Sequence, residues 1–134
     1  MMFCVALVCA TVFNGCSKKD DDSNDPQKQI IGKWKETTSS GTEDGIKFES
    51  QDYIGAIVEF KSDLSITIKR VDGTIETGQT YSIDGNKINI LPADAEETNL
   101  VRTFTISDDK LSINSQFTAG GHFYIEDVVL IRAD

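Results

Sequence analysis

Short runs in which apolar and polar residues alternate fill the chain from Ile30 onward, and turn-forming residues separate these runs. A period of two is typical of β-strands that bury one face. We predict eight strands, over residues 31–39, 54–61, 64–71, 75–83, 87–91, 100–107, 111–117 and 123–132. No long helix is predicted, and the irregular segment 41–52 is interpreted as a long first loop.

The breaks between these strands favour hairpins. Ser62-Asp63 and Asp108-Asp109 are short polar breaks, while Asp72-Gly73 and Asp84-Gly85 provide the Asp-Gly pair that suits turns with positive φ. Consecutive antiparallel strands must protect their edges, and closure into a barrel removes the edges. The sequence therefore predicts an all-β fold, an eight-stranded antiparallel up-and-down barrel, with a two-sheet β-sandwich as the alternative.

The first residues follow a different pattern. Residues 2–13 form an uncharged apolar run of twelve, which is shorter than the roughly 20 residues that a membrane-spanning helix needs. This is the length of the apolar region of a signal peptide, and small residues near its end fit a cleavage site, although no Lys or Arg precedes the run. We interpret residues 1–15 as a removed signal peptide; a buried N-terminal strand or helix is the alternative.

The end of this run is similar to a known motif. Phe13-Asn14-Gly15-Cys16 resembles the bacterial lipobox, in which the cysteine receives lipid and becomes the first residue of the mature protein. The tract behind it resembles the export signal of Bacteroidetes lipoproteins and contains Lys18, Lys19, Asp20, Asp21 and Asp22. The resemblance implies a lipid anchor on Cys16, an outer-membrane location and exposure at the cell surface, with the periplasmic face as the alternative.

Residues 16–29 are predicted to tether the domain to this anchor. The tract 17–29 is polar and charged and contains no aliphatic or aromatic side chain, so burial of apolar surface cannot offset the entropy lost on ordering it. We therefore expect a flexible acidic tether over 16–29 and a β-barrel domain over 30–134.

The first predicted strand opens with a second motif. Gly32-Lys33-Trp34 resembles the G-x-W signature of the lipocalins, and its place before seven further strands resembles the lipocalin-like domains of Bacteroidetes lipoproteins. In that family the tryptophan packs at the closed end of the barrel against an arginine from near the last strand. The resemblance therefore implies that Gly32, Trp34 and Arg132 take part in closing the barrel.

Composition narrows the functional classes. The net charge is −9 and no basic face is visible, so we expect no nucleic-acid partner. Cys4, Cys9 and Cys16 are the cysteines, which leaves the predicted domain without a disulfide or a cysteine-bound zinc. His122 is the single histidine, and no catalytic set or phosphate loop is recognised. We expect no cofactor, no metal and no enzymatic activity.

The inward-facing positions are candidates for a binding site. Alternation places Phe60, Ile68, Gln79, Tyr81 and Phe104 inside the barrel, together with Ile66, Thr77 and Phe117. A few polar groups among many apolar ones suit a small, largely apolar ligand, with Gln79 and Tyr81 as orienting groups. The alternative is a filled barrel that acts as a non-enzymatic interaction or inhibitor module of a cell-surface complex.

The last predicted strand is apolar on both faces. We predict that Tyr124, Val128 and Leu130 face outward, where they pack against the first loop or form a surface for a protein partner.

Overall fold

The computed structural model describes residues 25–92 and 96–133. The predicted signal peptide over 1–15, the predicted lipidation site Cys16 and the predicted export signal Lys18–Asp22 lie outside the described residues. In the described part of the chain, no helix is both long enough and apolar enough to cross a membrane.

One short helix and nine strands make up the described chain. The helix, α1, spans Pro26–Ile30, and the Asp25 side chain caps it by accepting a hydrogen bond from the Gln27 N–H at 3.0 Å. Gly32 is the first residue of the first strand. In chain order the strands are β1 (Gly32–Glu43), β2 (Ile46–Glu49), β3 (Ile57–Phe60), β4 (Ser65–Lys69), β5 (Ile75–Asp84), β6 (Lys87–Leu91), β7 (Thr98–Ser107), β8 (Lys110–Ala119) and β9 (His122–Arg132).

The strands form a closed antiparallel barrel. Each strand from β3 to β8 pairs with the next one, β1 pairs with β3, and β1 also pairs with β9. The β1–β9 ladder runs from Trp34 opposite Arg132 to Glu43 opposite Tyr124. β2 lies outside this ring of eight strands and pairs with the distal end of β1. The predicted eight-stranded barrel is confirmed, and the two-sheet sandwich is wrong because one continuous ladder joins all eight strands in a ring.

The segment 41–52 is not a long loop. β1 continues to Glu43, Asp44 and Gly45 form a two-residue turn with φ values of 50° and 86°, and β2 returns along β1. Gly41 lets β1 lie close to β9, since a Cβ atom at Gly41 would stand 2.1 Å from a backbone carbonyl oxygen of β9. Alternation missed this hairpin because most residues of β2 are exposed to solvent.

Order also begins before the expected domain boundary at residue 30. α1 falls within the segment that the sequence marked as tether, and Ile30 at its end is fully buried. The Ile30 carbonyl oxygen accepts a hydrogen bond from the Trp34 indole N–H at 2.8 Å. The sequence did not predict α1 because its residues are mostly polar and only Ile30 enters the core.

The hydrophobic core fills one end of the barrel, the closed end. Its buried members are Ile30, Trp34, Phe60, Ile66, Tyr81, Ile88, Phe104, Leu111 and Leu130. The rings of Phe60 and Tyr81 meet edge to face with centroids 5.1 Å apart. The Tyr81 hydroxyl donates to the Lys61 carbonyl oxygen at 2.8 Å, so its polar end is satisfied. These side chains plug the closed end and form a floor for the space above them.

Trp34 and Arg132 join the first and last strands at this end. They are opposite each other in the β1–β9 ladder, and the guanidinium carbon lies 3.9 Å from the centroid of the indole ring. The guanidinium also donates to the carbonyl oxygens of Ile31 and Gln29, at 2.9 and 2.8 Å. One arginine therefore ties the α1 segment, β1 and β9 together.

The last strand faces the opposite way from the prediction. Leu130 is 2% exposed, Val128 packs against the core, and Tyr124 lies on the same inward face. The outward side chains include Phe123 and Ile131, which are 46% and 44% exposed. Because both faces of β9 are apolar, alternation cannot choose between them, and the pairing with β1 decides the outcome.

Candidate ligand-binding cup

A cavity of about 480 Å³ lies inside the barrel above the closed-end core. We name this cavity the cup. Its apolar lining consists of Val58, Phe60, Ile66, Ile68, Ile90, Ile113, Val128 and Leu130. Its polar lining consists of Glu36, Tyr53, Glu76, Gln79, Glu97, Arg102, Ser115 and Glu126. The volume lies within the range of about 300–1,000 Å³ that is usual for small-molecule sites.

The structure brings together three of the five residues that the sequence proposed for ligand binding. Phe60, Ile68 and Gln79 line the cup. Tyr81 and Phe104 lie instead in the closed-end core, where they are 3% and 5% exposed. Alternation along a strand specifies the face on which a side chain lies but not its height in the barrel. Both residues point inward, but too low to line the cup.

A bulge decides which residues of β5 reach the cup. The register between β4 and β5 shifts between Ile66 and Ile68. As a result Gln79 and Glu76 both line the cup, although three positions separate them, while Thr77 is exposed. The prediction that Thr77 faces inward is therefore wrong.

Glu36 is the one charged residue of the described chain that is buried. It is 8% exposed, and burial raises the pKa of its carboxyl group above the ordinary value. Its backbone is held by hydrogen bonds with Ala56 and Gly55. Within residues 25–92 and 96–133, no side chain or backbone group is bonded to its carboxyl group, and the carboxyl oxygens retain contact with solvent, because no fully buried side-chain oxygen of these residues lacks a partner. The carboxyl group is therefore available to whatever occupies the cup.

Higher in the cup, a polar row crosses the last three strands. Arg102, Ser115 and Glu126 are successive partners in the β7–β8 and β8–β9 ladders, and Arg102 Nε donates to Ser115 Oγ at 3.2 Å. Burial lowers the pKa of Arg102. Burial, and then the charge of Glu97, raise the pKa of Glu126, while Arg102 acts in the opposite direction. The row is a partly dehydrated cluster in which two carboxyl groups lie near one guanidinium.

A second charged group stands at the mouth of the cup. Arg70 Nη2 donates to Tyr53 Oη at 2.6 Å, and the guanidinium carbon lies 4.3 Å from the centroid of the Tyr53 ring. Arg70 Nε is ion-paired with Glu76. Tyr53 belongs to the connection between β2 and β3, so these contacts fasten that connection to the β4–β5 hairpin. They also balance the charge of Glu76.

Comparison with known protein families agrees with this architecture. The family model described as "Lipocalin-like domain" matches residues 30–113, which is more than half of the chain. The chain belongs to the lipocalin-like family. Proteins of the lipocalin-like family are typically binding proteins rather than enzymes. No curated protein matches the chain.

The lipocalin-like match begins before β1 and ends within β8. It includes Trp34 and Glu36 but stops short of Ser115, Glu126 and Arg132. β9 therefore completes the lipocalin-like barrel from outside the matched range, and it supplies part of the polar row.

Outside the cup, one group of side chains in the described part of the chain could hold a metal ion. The ligand atoms of Glu43, Asp44 and His122 lie within 4.8 Å of one another at the mouth of the lipocalin-like barrel. His122 Nδ1 lies 2.6 Å from Asp44 Oδ2, and Asp44 Oδ1 accepts from the Phe123 N–H at 2.8 Å. The hydrogen bond to Asp44 raises the pKa of His122, and the one from Phe123 contributes most to lowering the pKa of Asp44. These contacts join the β1–β2 and β8–β9 turns.

Sequence reasoning missed the charged residues of the cup, above all Glu36, Arg102 and Glu126. The period of two contains a signal for them, since Glu36 follows Trp34 by two positions and Arg102 precedes Phe104 by two. Charged residues normally face solvent, so a prediction from sequence places these three on the outer face of the barrel.

Proposed function

We propose that this protein binds one small ligand with a largely apolar body in the cup. The observation that supports the proposal is a cavity of about 480 Å³, lined by eight aliphatic and aromatic side chains, inside a closed barrel. Eight-stranded barrels are wide enough to hold one small ligand. Such a ligand gains about 25 cal/mol for each Å² of apolar surface that leaves water.

The competing hypothesis is a non-enzymatic interaction or inhibitor module of a cell-surface complex. That hypothesis requires a barrel filled by side chains, whereas the space above the closed-end core favours a ligand. Our proposal includes no catalytic step. His122, the single histidine of the chain, lies at the outer turn and does not line the cup.

Calorimetric titration of the full chain with decanol tests this proposal. We expect saturable binding at one site. Val128→Trp places an indole in the cup and should weaken binding at least about tenfold, which corresponds to about 1.4 kcal/mol. The matched control is Val101→Trp, since Val101 is 48% exposed on the outer face and its replacement should leave binding unchanged. Absence of decanol binding, or equal binding by the two variants, would refute the proposal.

We also propose that the protein is a lipoprotein anchored in the outer membrane through Cys16 and exposed at the cell surface. Support comes from the Phe13-Asn14-Gly15-Cys16 motif and from the Lys18–Asp22 tract behind it. Two or more acyl chains on one residue hold a protein stably at a membrane, whereas a single chain does not.

Incorporation of labelled palmitate into the protein in its host tests the anchor. Cys16→Ala should abolish both the label and membrane attachment, whereas Cys9→Ala is the matched control and should change neither. If Cys16→Ala stays in the membrane, the anchor is refuted. Protease treatment of intact cells tests the surface location separately, because a protein on the periplasmic face would survive it.

A further inference from the structure

We infer that the ligand of the cup carries a protonated amine and that the amine binds the carboxylate of Glu36 near the floor. This inference rests on the proposed binding function and names the chemical class of the ligand. A purely apolar ligand would leave the carboxyl group of Glu36 buried beside it without a partner, and burial of an unpaired charge is costly.

The first step in the argument is the state of Glu36 itself. Charged side chains that are buried in proteins are nearly always paired. Glu36 lines the cup and is 8% exposed, and among residues 25–92 and 96–133 its carboxyl oxygens are in contact with solvent rather than with a protein partner, so a ligand that fills the cup covers them. An ammonium group offers three hydrogen-bond donors and a compensating charge. Such charge-assisted bonds are about twice as strong as neutral ones, so an amine meets this requirement better than a hydroxyl group.

The second step is the depth of Glu36 in the cup. Glu36 is opposite Leu130 in the β1–β9 ladder, two residues from the Trp34–Arg132 pair that closes the barrel. Glu126 lies four residues closer to the mouth along β9, which is about 14 Å of strand. Glu36 therefore lies deeper than Glu126 along β9, and a ligand that pairs with Glu36 places its amine below the polar row.

The third step is the balance of charge around the ligand. Four carboxyl groups and one guanidinium line the cup: Glu36, Glu76, Glu97, Glu126 and Arg102. Arg70, paired with Glu76 at the mouth, adds a second guanidinium. Carboxyl groups therefore outnumber guanidiniums by four to two, and the whole chain carries a net charge of −9. Complementarity of charge favours a cation in the cup and disfavours a carboxylate such as that of a fatty acid.

The apolar side chains that line the wall of the cup indicate the chemistry of the rest of the ligand. Ile113 and Val128 are opposite each other in the β8–β9 ladder, one inward row below Ser115 and Glu126, and Val58 and Ile68 line the cup from β3 and β4. These side chains have no hydrogen-bonding groups, so they suit an alkyl or aryl body. The ligand class is therefore a small amphipathic amine with its ammonium group at the floor and its apolar body against the wall.

Three probes with the same alkyl chain and different head groups test this inference: decylammonium, decanol and decanoate. Calorimetry on the full chain below the micelle concentrations should show decylammonium binding at least about tenfold more tightly than decanol, with decanoate weakest. Glu36→Gln should remove this preference, so that decylammonium binds it no more tightly than decanol.

Two matched variants separate a specific contact from the general attraction between a cation and an acidic protein. Glu49→Gln removes one carboxylate from exposed strand β2, outside the cup, and should leave the decylammonium preference unchanged. Glu126→Gln removes one carboxylate from the polar row. It should weaken the binding of decylammonium by about threefold at most, because Arg102 partly balances the charge of Glu126. Retained decanol binding by Glu36→Gln shows that the variant is folded.

Each outcome has a distinct meaning. Equal binding of decylammonium and decanol by the wild-type protein overturns the inference and leaves the proposed function standing. A full preference for decylammonium in Glu36→Gln, or equal losses in Glu36→Gln and Glu49→Gln, also overturns it. If none of the three probes binds, the proposed function fails and the inference fails with it.

Discussion

Arg132 and Glu36 occupy neighbouring inward rows near the closed end. The charge of Arg132 has protein partners, whereas that of Glu36 has none among the described residues. Arg132 has the Trp34 ring and two backbone carbonyl oxygens as partners, so its charge is compensated where it lies. Glu36, two residues after Trp34 on the same face of β1, has its carboxyl group at the cup. Binding sites often retain groups that lower the stability of the ligand-free protein. We interpret Glu36 as such a group.

Glu36→Gln is expected to stabilise the ligand-free protein by about 1 kcal/mol near neutral pH. Burial raises the pKa of Glu36 from its ordinary value of 4.5. The contribution of Glu36 to the stability of the wild type is therefore most favourable below pH 4.5. It becomes less favourable as the pH rises through the raised pKa. Because glutamine does not titrate, the advantage of the variant should shrink as the pH falls towards about 4.

Urea denaturation of the two proteins across this pH range measures the effect. Glu126 also has a raised pKa, but it is present in both proteins and its contribution cancels in the difference. A gain that does not depend on pH would contradict the assignment to Glu36, as would destabilisation at neutral pH.

Arg132→Ala is expected to lower the free energy of unfolding by about 3 kcal/mol. It removes the contact with the indole, worth about 0.5–2 kcal/mol, and leaves the carbonyl groups of Gln29 and Ile31 without their charged donor. Arg132→Lys keeps the charge but not the planar fork, so an intermediate loss is expected. Chemical denaturation provides the values, and an alanine variant as stable as the wild type would show that this contact does not secure the barrel.

At the scale of strands, the ladder around the barrel is uneven. β8 and β9 are paired along their whole length, from Lys110 opposite Ile131 to Ala119 opposite His122. In the described chain, β6 and β7 share a single paired position, Lys87 opposite Thr103. The stretch of β7 before Thr103 therefore lacks a ladder on its β6 side. We name the boundary between β6 and β7 the seam; it runs past part of the cup lining.

Hydrogen exchange should show the seam as the least protected part of the barrel wall. Peptides from residues 87–92 and 96–102 should exchange faster than peptides from β8 and β9, because few backbone hydrogen bonds join β6 to β7. The comparison is made by mass spectrometry on the ligand-free protein. Equal protection on both sides of the barrel would show that the seam is held closed by other contacts.

At the scale of the whole molecule, the N-terminal segment and the cup lie at opposite ends of the barrel. α1 packs at the closed end, where Arg132 donates to the carbonyl oxygens of Gln29 and Ile31. The cup lies above the core, and its lining includes Tyr53, Glu76 and Glu97, which lie towards the other end of the barrel. If Cys16 carries the proposed anchor, the chain reaches the barrel from the side of the membrane at its closed end. The cup then faces the medium.

Fluorescent labels at the two ends test this orientation. Lys87→Cys, just after the β5–β6 turn, lies near the closed end, and Lys47→Cys on β2 lies near the mouth; both positions are exposed. In the lipidated protein in vesicles, energy transfer to labelled head groups should be stronger from position 87. Equal transfer, or stronger transfer from position 47, would contradict the proposed orientation.

Local pattern accounts for much of this fold. All eight predicted strands correspond to strands of the barrel, because antiparallel strands with one buried face show a period of two. The pairing of Trp34 with Arg132 was proposed from a motif, and the structure has the guanidinium against the indole. The hairpin at Asp44 and the turn of α1 were missed because solvent-exposed elements leave little hydrophobic pattern.

The sequence by itself determined the class of fold, the inward face of most strands and the acidity of the chain, since each depends on neighbours along the chain. Only the tertiary structure decided the height of each side chain in the barrel. Closure between β1 and β9 and the bulge in β5 left Tyr81 in the floor and brought Glu36 and Glu126 into one cavity. Residues that meet across a closed barrel are far apart in the chain, so no local pattern can specify how they come together.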